Sequence, residues 1–218
     1  LLMLVHQATA PAIAAHAEAR RRLAVEEVLR RPARFDTLYV HEGALVAALP
    51  EGADPSTVEQ VYAGYDEQGR PLGFAVTAER TGYQDVVRLL FGYDPVRDEL
   101  LGMTVLASKE TPGLGDSIEK DDAFVGQFAG VRPPLVGVKP GGEQDVHSVQ
   151  MITGATISSR AVIGAIQEAL DRLGPTLRRG APATTSPGSS DGTSAAPASA
   201  ALIAPSDTSD APSAEAEA

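Results

Sequence analysis

Apolar residues recur at helical spacing near both ends of the chain and at strand spacing between them. From Pro11, "PAIAAHAEARRRLAVEEVLRR" brings Ile13, Ala17, Ala24 and Val28 near one face with polar residues elsewhere, which predicts a helix that Pro32 ends. Between Phe35 and Val138 the pattern changes to short β-rich runs broken by Gly, Pro and Asp: "VEQVYAGYDEQGRPLGFAVTAE", "DVVRLLFGYD" and "ELLGMTVLAS". The segment "DEQGRP" reads as the turn of a hairpin near Val58 to Glu79. A second helix begins near Ser158, carries Ala161, Ile163, Ala165, Ile166, Ala169, Leu170 and Leu173 inward, and is expected to stop at Gly174-Pro175, with Ser158 or Ser159 as its N-cap. The order of elements predicts an α+β fold, a mainly antiparallel sheet flanked by helices.

The two ends depart from this pattern. The chain opens on "LLMLVHQATAPAIAAH", and Leu1 to Val5 supply a fragment of the roughly 20 apolar residues that a membrane helix needs. Residues 1–10 therefore read as the outer end of a transmembrane anchor from which the first helix continues; the bland alternative is the apolar start of a surface helix. Arg20 to Arg22 read as a solvated helix face. Residues 11–179 form the expected domain. Residues 180–218, rich in Ala, Ser, Pro, Thr and Asp and free of Lys, Arg and aromatic residues, lack the apolar content to offset ordering entropy and are expected to be a disordered acidic tail.

Charge and composition narrow the chemistry. Lys and Arg total 18 against 29 Asp and Glu, a net charge of -11, which repels phosphate backbones and excludes nucleic-acid binding through a basic surface. The absence of Cys removes disulfides, zinc-thiolate sites and Cys-ligated iron–sulfur clusters. His6, His16, His41 and His147 show no ligand spacing, so no metal site is expected. Redox chemistry would need an organic cofactor.

The stretch "MITGATISSRAVIGAI", Met151 to Ile166, has two readings. One is purely architectural: a tight turn, a cap and a core helix. The other is a site for an anion, since a helix N-terminus offers free N–H groups and a positive dipole end. Gly154 and Ala155 would let a phosphate approach the backbone closely, and Thr153, Thr156, Ser158 and Ser159 would surround it with hydroxyls. No Walker Lys and no GxGxxG is present, so neither a nucleoside triphosphate nor an ordinary dinucleotide site is supported. Some forty residues earlier, "KETPGLGDSIE" combines Pro112, which holds Thr111 extended, with Gly113 and Gly115 for a sharp reversal. Asp116 and Glu119 there resemble a capping box for a helix running toward Phe128.

Together, "TGATISSRAV" and "KETPGLGDSIE" resemble the covalent FMN-binding domain of the G subunit of the Rnf electron-transport complex and, more distantly, the C subunit of the sodium-pumping NADH:quinone reductase. The likeness extends over nearly all of Leu1 to Leu173, including "QATAPAIAA" and Gly82-Tyr83. It implies that Thr156 carries FMN through a phosphoester made from FAD by a separate Mg-dependent flavin transferase. It also implies that Glu110, Thr111, Gly113, Leu114 and Gly115 lie beside the flavin ring. The protein it implies is an electron-carrying subunit rather than a stand-alone enzyme. That subunit would be anchored in the cell inner membrane with its soluble domain facing the periplasm, and it would work with other membrane subunits of an ion-translocating ferredoxin:NAD oxidoreductase. The equivalent quinone-reductase subunit is the nearer alternative; a non-redox scaffold or anion-binding module without flavin is the alternative of another class. One departure stands out: the family pattern has Asp six positions before the modified Thr, where this chain has Gln150, and Asp145 is out of register.

Overall fold

The computed structural model describes residues 18–49, 51–54 and 57–180. By internal contacts the chain divides into Leu1–Thr184 and Thr185–Ala218, and the second unit lies wholly outside the described residues. The expected anchor remnant, Ile13 and Ala17 of the first helix, and the tail beyond Gly180 lie outside them as well.

Helix α1 (18–28) is followed by β1 (Arg34–His41), β2 (Ala44–Val46), β3 (Gln60–Tyr65), β4 (Pro71–Thr81), β5 (Val86–Asp94) and β6 (Glu99–Ala107). Two short helices, α2 (Ser117–Lys120) and α3 (Asp122–Gly126), come next. Strands β7 (Val136–Val138) and β8 (Ser148–Gln150) then lead into the long helix α4 (Thr156–Gly180). The first six strands form one sheet in the order β2-β1-β3-β4-β5-β6, antiparallel at every pairing, while β7 and β8 form a separate parallel pair. The α+β reading holds, and the β3–β4 hairpin turns at the predicted "DEQGRP", where Asp66 accepts from the backbone of Gln68 and Arg70.

Period-two alternation assigns the two faces. Phe74, Val76 and Ala78 of β4 and Val87, Leu89, Phe91 and Tyr93 of β5 point into one core with Val162, Ile166, Leu170, Leu173 and Leu177 of α4. Ala75 and Leu90, between them in register, face the opposite side and meet Val25 and Val28 of α1 and Leu29 just beyond it. Gly92 lets α1 lie close on the sheet, since a Cβ there would sit 2.3 Å from the Val28 carbonyl oxygen. The sheet is thus a layer between two helices, and α1 ends before Pro32 as expected, with Arg30 and Arg31 in left-handed conformations.

Three local expectations are corrected. Helix α4 does not stop at Gly174-Pro175 but runs through Pro175 to Gly180. Pro175 cannot donate to the Asp171 carbonyl, yet the added turns are held by other contacts. Leu177 is fully buried, Thr176 Oγ1 and Arg179 both donate to the Gly43 carbonyl, and Arg178 pairs with Asp98 at 2.8 Å. Neither Ser158 nor Ser159 is an N-cap, because the helix already begins at Thr156 and both serines are buried within its first turns. The "GDSIE" segment forms no capping box: the Asp116 carboxylate accepts from Gly113 N–H and Lys120 instead, and the path toward Phe128 breaks at Asp121, whose side chain caps α3 through Ala123 and Phe124 N–H.

Candidate functional site

Three segments far apart in sequence meet at one end of the sheet. They are the β4–β5 turn at 82–85, the loop 108–116 that follows β6, and the turn that opens α4. Between them lies a cavity of about 360 Å3 lined by Tyr83, Thr111, Leu114, Gly115, Gly154, Ala155, Thr156, Ile157 and Ser158. The α4 turn is built by Ala155 N–H donating to the Ile152 carbonyl at 3.1 Å, with Gly154 at φ +84°, a conformation that favours glycine. The first bond of the helical ladder runs from Ser159 N–H to the Ala155 carbonyl, so the N–H groups of Thr156, Ile157 and Ser158 have no acceptor within the helix.

The four hydroxyls of the motif fall into different environments. Ser159 is buried; it donates to the Ala155 carbonyl at 2.9 Å and accepts from Ile152 N–H at 3.1 Å, which ties the turn to the helix. Ser158 is buried and donates to Glu110 Oε2 at 2.5 Å. Thr153 is exposed within the turn and outside the cavity lining. Thr156 alone is both exposed and part of the lining, and its hydroxyl has no hydrogen-bond partner among the described residues.

Of the ETPGLG residues, Thr111, Leu114 and Gly115 line the cavity, and Gly113, at φ +77°, shapes the loop behind it. Glu110 lies beneath the lining rather than in it. Its buried carboxylate accepts from the N–H groups of Tyr83 (3.0 Å), Gln84 (3.1 Å) and Asp85 (3.4 Å) as well as from Ser158. Burial works to raise its pKa, but the Ser158 hydroxyl and the three N–H groups outweigh it and hold the carboxyl below its ordinary value.

Tyr83 and Ile157, exposed at 67% and 52%, join Leu114 as apolar groups at the cavity mouth, and sequence reasoning did not single out either as a site residue. The only signal for Tyr83 was the Gly82-Tyr83 pair; Ile157 could be found only from its place on the outward face of the first helical turn. Gln150 ends β8, immediately before the motif; its backbone is bound at both polar atoms by the side chain of Gln127. Asp145 lies in the loop ahead of β8, where it accepts from the Ser148 hydroxyl and His147 N–H. Among the described residues no cluster of His, Asp or Glu is arranged to hold a metal, and no helix is long and apolar enough to cross a membrane.

These cavity-forming segments fall within a known family. The FMN-binding domain family matches residues 82–171, which begin at the β4–β5 turn and end within α4. The G subunit of the ion-translocating oxidoreductase complex of Methanosarcina acetivorans is 34% identical over 140 residues, covering 59% of this chain and 72% of that protein. The G subunit of the Na(+)-translocating ferredoxin:NAD(+) oxidoreductase complex of Acetobacterium woodii is 31% identical, covering 66% of this chain and 69% of its own. In fold, the chain is similar to the crystal structure of Shewanella oneidensis NqrC, with a TM-score of 0.57 at 18% identity, covering 75% of this chain and 99% of that one.

Proposed function

Because the chain belongs to the family of G subunits of ion-translocating oxidoreductase complexes, we propose that it is the electron-transfer subunit of such a complex, of the ferredoxin:NAD type, and that it carries FMN covalently on Thr156. The observation that carries the assignment is the contrast among the hydroxyls: Ser158 and Ser159 are committed to the protein's own hydrogen bonds, whereas Thr156 is free, exposed and in the cavity lining within the FMN-binding match.

The residues fit the group. A cavity of about 360 Å3 lies within the range of small-molecule sites. The uncommitted N–H groups of Thr156, Ile157 and Ser158 and the dipole of a 25-residue helix suit the single negative charge of a phosphodiester. Gly154 leaves the approach open, since a Cβ there would meet nothing closer than Leu114 at 3.6 Å. Tyr83, Leu114 and Ile157 offer apolar surface to a flat ring, with Thr111 and Gly115 behind them. Bound FMN supplies reversible uptake and release of electrons; the chain's part is to retain it, orient it and leave one side open to partners.

No base stands beside Thr156 in the motif, and a threonine hydroxyl is a poor nucleophile without one. The attachment is therefore assigned to a separate flavin transferase. In that reaction the Thr156 oxygen would displace AMP from the FMN phosphorus of FAD, with the transferase taking up the hydroxyl proton. A tether on Thr156 would make rebinding of the group intramolecular, so modest contacts from Tyr83, Leu114 and Ile157 would suffice to hold it. In this reading the domain stands outside the inner membrane, anchored through its N-terminus and working with the other membrane subunits. The test is mass spectrometry on protein produced with and without a matching transferase. An FMN-sized adduct on the Thr156 peptide, absent from Thr156→Ala, is the expected result; an adduct that persists in that variant, or maps to Thr153, overturns the assignment.

A further inference from the structure

Among the described residues, Glu110 is the one buried carboxylate that contacts two of the three cavity-forming segments while belonging to the third. It stands at the head of the ETPGLG loop, its Oε1 and Oε2 receive the backbone N–H groups of the 83–85 turn, and its Oε2 receives the Ser158 hydroxyl of α4. Two glycines close over it: a Cβ on Gly82 would stand 2.5 Å from Oε1, and one on Gly115 would stand 2.8 Å from Oε2 and 3.1 Å from the Ser158 oxygen. Beneath the cavity, the packing around the carboxylate leaves room for nothing but its donors. Among the described residues no buried side-chain polar atom lacks a partner, so this cluster is closed on itself.

We infer that Glu110 is a positioning residue: its carboxylate braces the Tyr83 turn against the first turn of α4, and so fixes the separation of the cavity walls and the pose of the group held between them. The inference rests on the FMN reading for the identity of that group, but the brace itself is a property of the polypeptide. It gives Ser158 a role distinct from that of Thr156 two residues before it. One hydroxyl is offered outward for attachment, and the other is turned inward to lock the helix head on which the attachment point rides. It also explains why Gly82 and Gly115 stand where they do: alanine at either would press on the carboxylate.

The test uses two variants, Glu110→Gln, which keeps the shape and removes the charge, and Ser158→Ala, which removes only the tie to α4. Two measurements are made on each. In protein without flavin, amide hydrogen exchange is followed at Tyr83, Gln84 and Asp85. Hydrogen bonds to a charged acceptor are stronger than neutral ones, so exchange in Glu110→Gln should be faster by about tenfold or more at these amides, with the central β4 and β5 amides changed far less. In protein loaded with flavin, the visible circular dichroism and fluorescence anisotropy of the flavin should change in both variants, although neither alters the attachment residue. Unchanged exchange at 83–85 in Glu110→Gln overturns the brace whatever the flavin does. Faster exchange with unaltered flavin spectra overturns the positioning role, leaving a structural tie only. If wild-type protein acquires no flavin at all, the assignment of Thr156 fails, and the exchange arm still decides the brace separately.

Discussion

Gln127 and Gln150 bind each other through two hydrogen bonds that use the side chain of the first and the backbone of the second. Gln150 N–H donates to Gln127 Oε1 at 2.6 Å, and Gln127 Nε2 donates to the Gln150 carbonyl at 3.3 Å. A side-chain amide thus takes the place of a neighbouring strand at the end of β8, just before the chain turns into α4. Gln127→Ala leaves two half-buried backbone groups without partners and is expected to lower stability by about 1–3 kcal/mol, read from denaturant unfolding. A loss below about 0.5 kcal/mol, the range of ordinary surface changes, would mean that water replaces the amide without cost.

The same pair separates what Gln150 does for the fold from what its side chain does for recognition. The fold uses only its N–H and C=O, so Gln150→Asp should keep the thermal midpoint within about 4 °C of wild type, the modest cost of Asp in a strand. If a flavin transferase reads an acidic side chain six positions ahead of Thr156, this substitution should raise the modified fraction in a timed reaction with limiting transferase. An equal or lower fraction would show that recognition does not depend on that position.

Leu177 gives a prediction that would fail if α4 ended where the Gly-Pro pair suggests. It lies beyond Pro175, is fully buried, and belongs to the same core as Leu173 and Leu170. Leu177→Ala should cost about 2–5 kcal/mol, as for other large-to-small core changes. Calorimetry would detect this as a marked fall in midpoint, whereas a near-neutral result would place the last two turns outside the core.

Short-range patterns in the sequence carried much of this architecture, and long-range ones did not. Alternation in "PLGFAVTAE" separates Phe74, Val76 and Ala78 from Ala75, which is enough to assign the two faces of β4. Thr153-Gly154-Ala155-Thr156 is legible as a turn because Gly154 supplies the left-handed conformation. The end of α4 lies beyond the Gly174-Pro175 stop signal because that signal is local, while burial of Leu177 and the pairing of Arg178 with Asp98, 80 residues away, are tertiary contacts that override it. Ser158 looked like a cap for the same reason: capping preference is local, whereas its actual partner, Glu110, lies 48 residues upstream. Glu110 itself was visible as part of ETPGLG, but its donors at 83–85 are backbone groups with no side-chain signature.

The Glu110 cluster also sets the sign of a pH dependence. Burial pushes its carboxyl up, yet the Ser158 hydroxyl and the N–H groups of Gln84, Asp85 and Tyr83 bring the folded-state pKa below the ordinary value. Over the window between the two values the unfolded chain binds more protons than the folded one, so stability rises with pH there. The contribution of Glu110 is complete above the ordinary glutamate pKa of about 4.3 and is lost as the pH falls through the lower folded value. Neighbouring carboxylates add to the acid sensitivity in the same direction: Asp85 is held low by Val86 N–H and Lys109, and Asp116 by Lys120 and Gly113 N–H. Comparison with Glu110→Gln isolates the one group, because the glutamine variant retains the others. The stability gap between wild type and Glu110→Gln, measured by urea unfolding at a series of pH values, should be constant from neutral pH down to about pH 5 and should shrink as the pH falls through about 4 and below. A gap that stays constant through pH 3, or widens, would mean that Glu110 is not the ionised acceptor its four donors require.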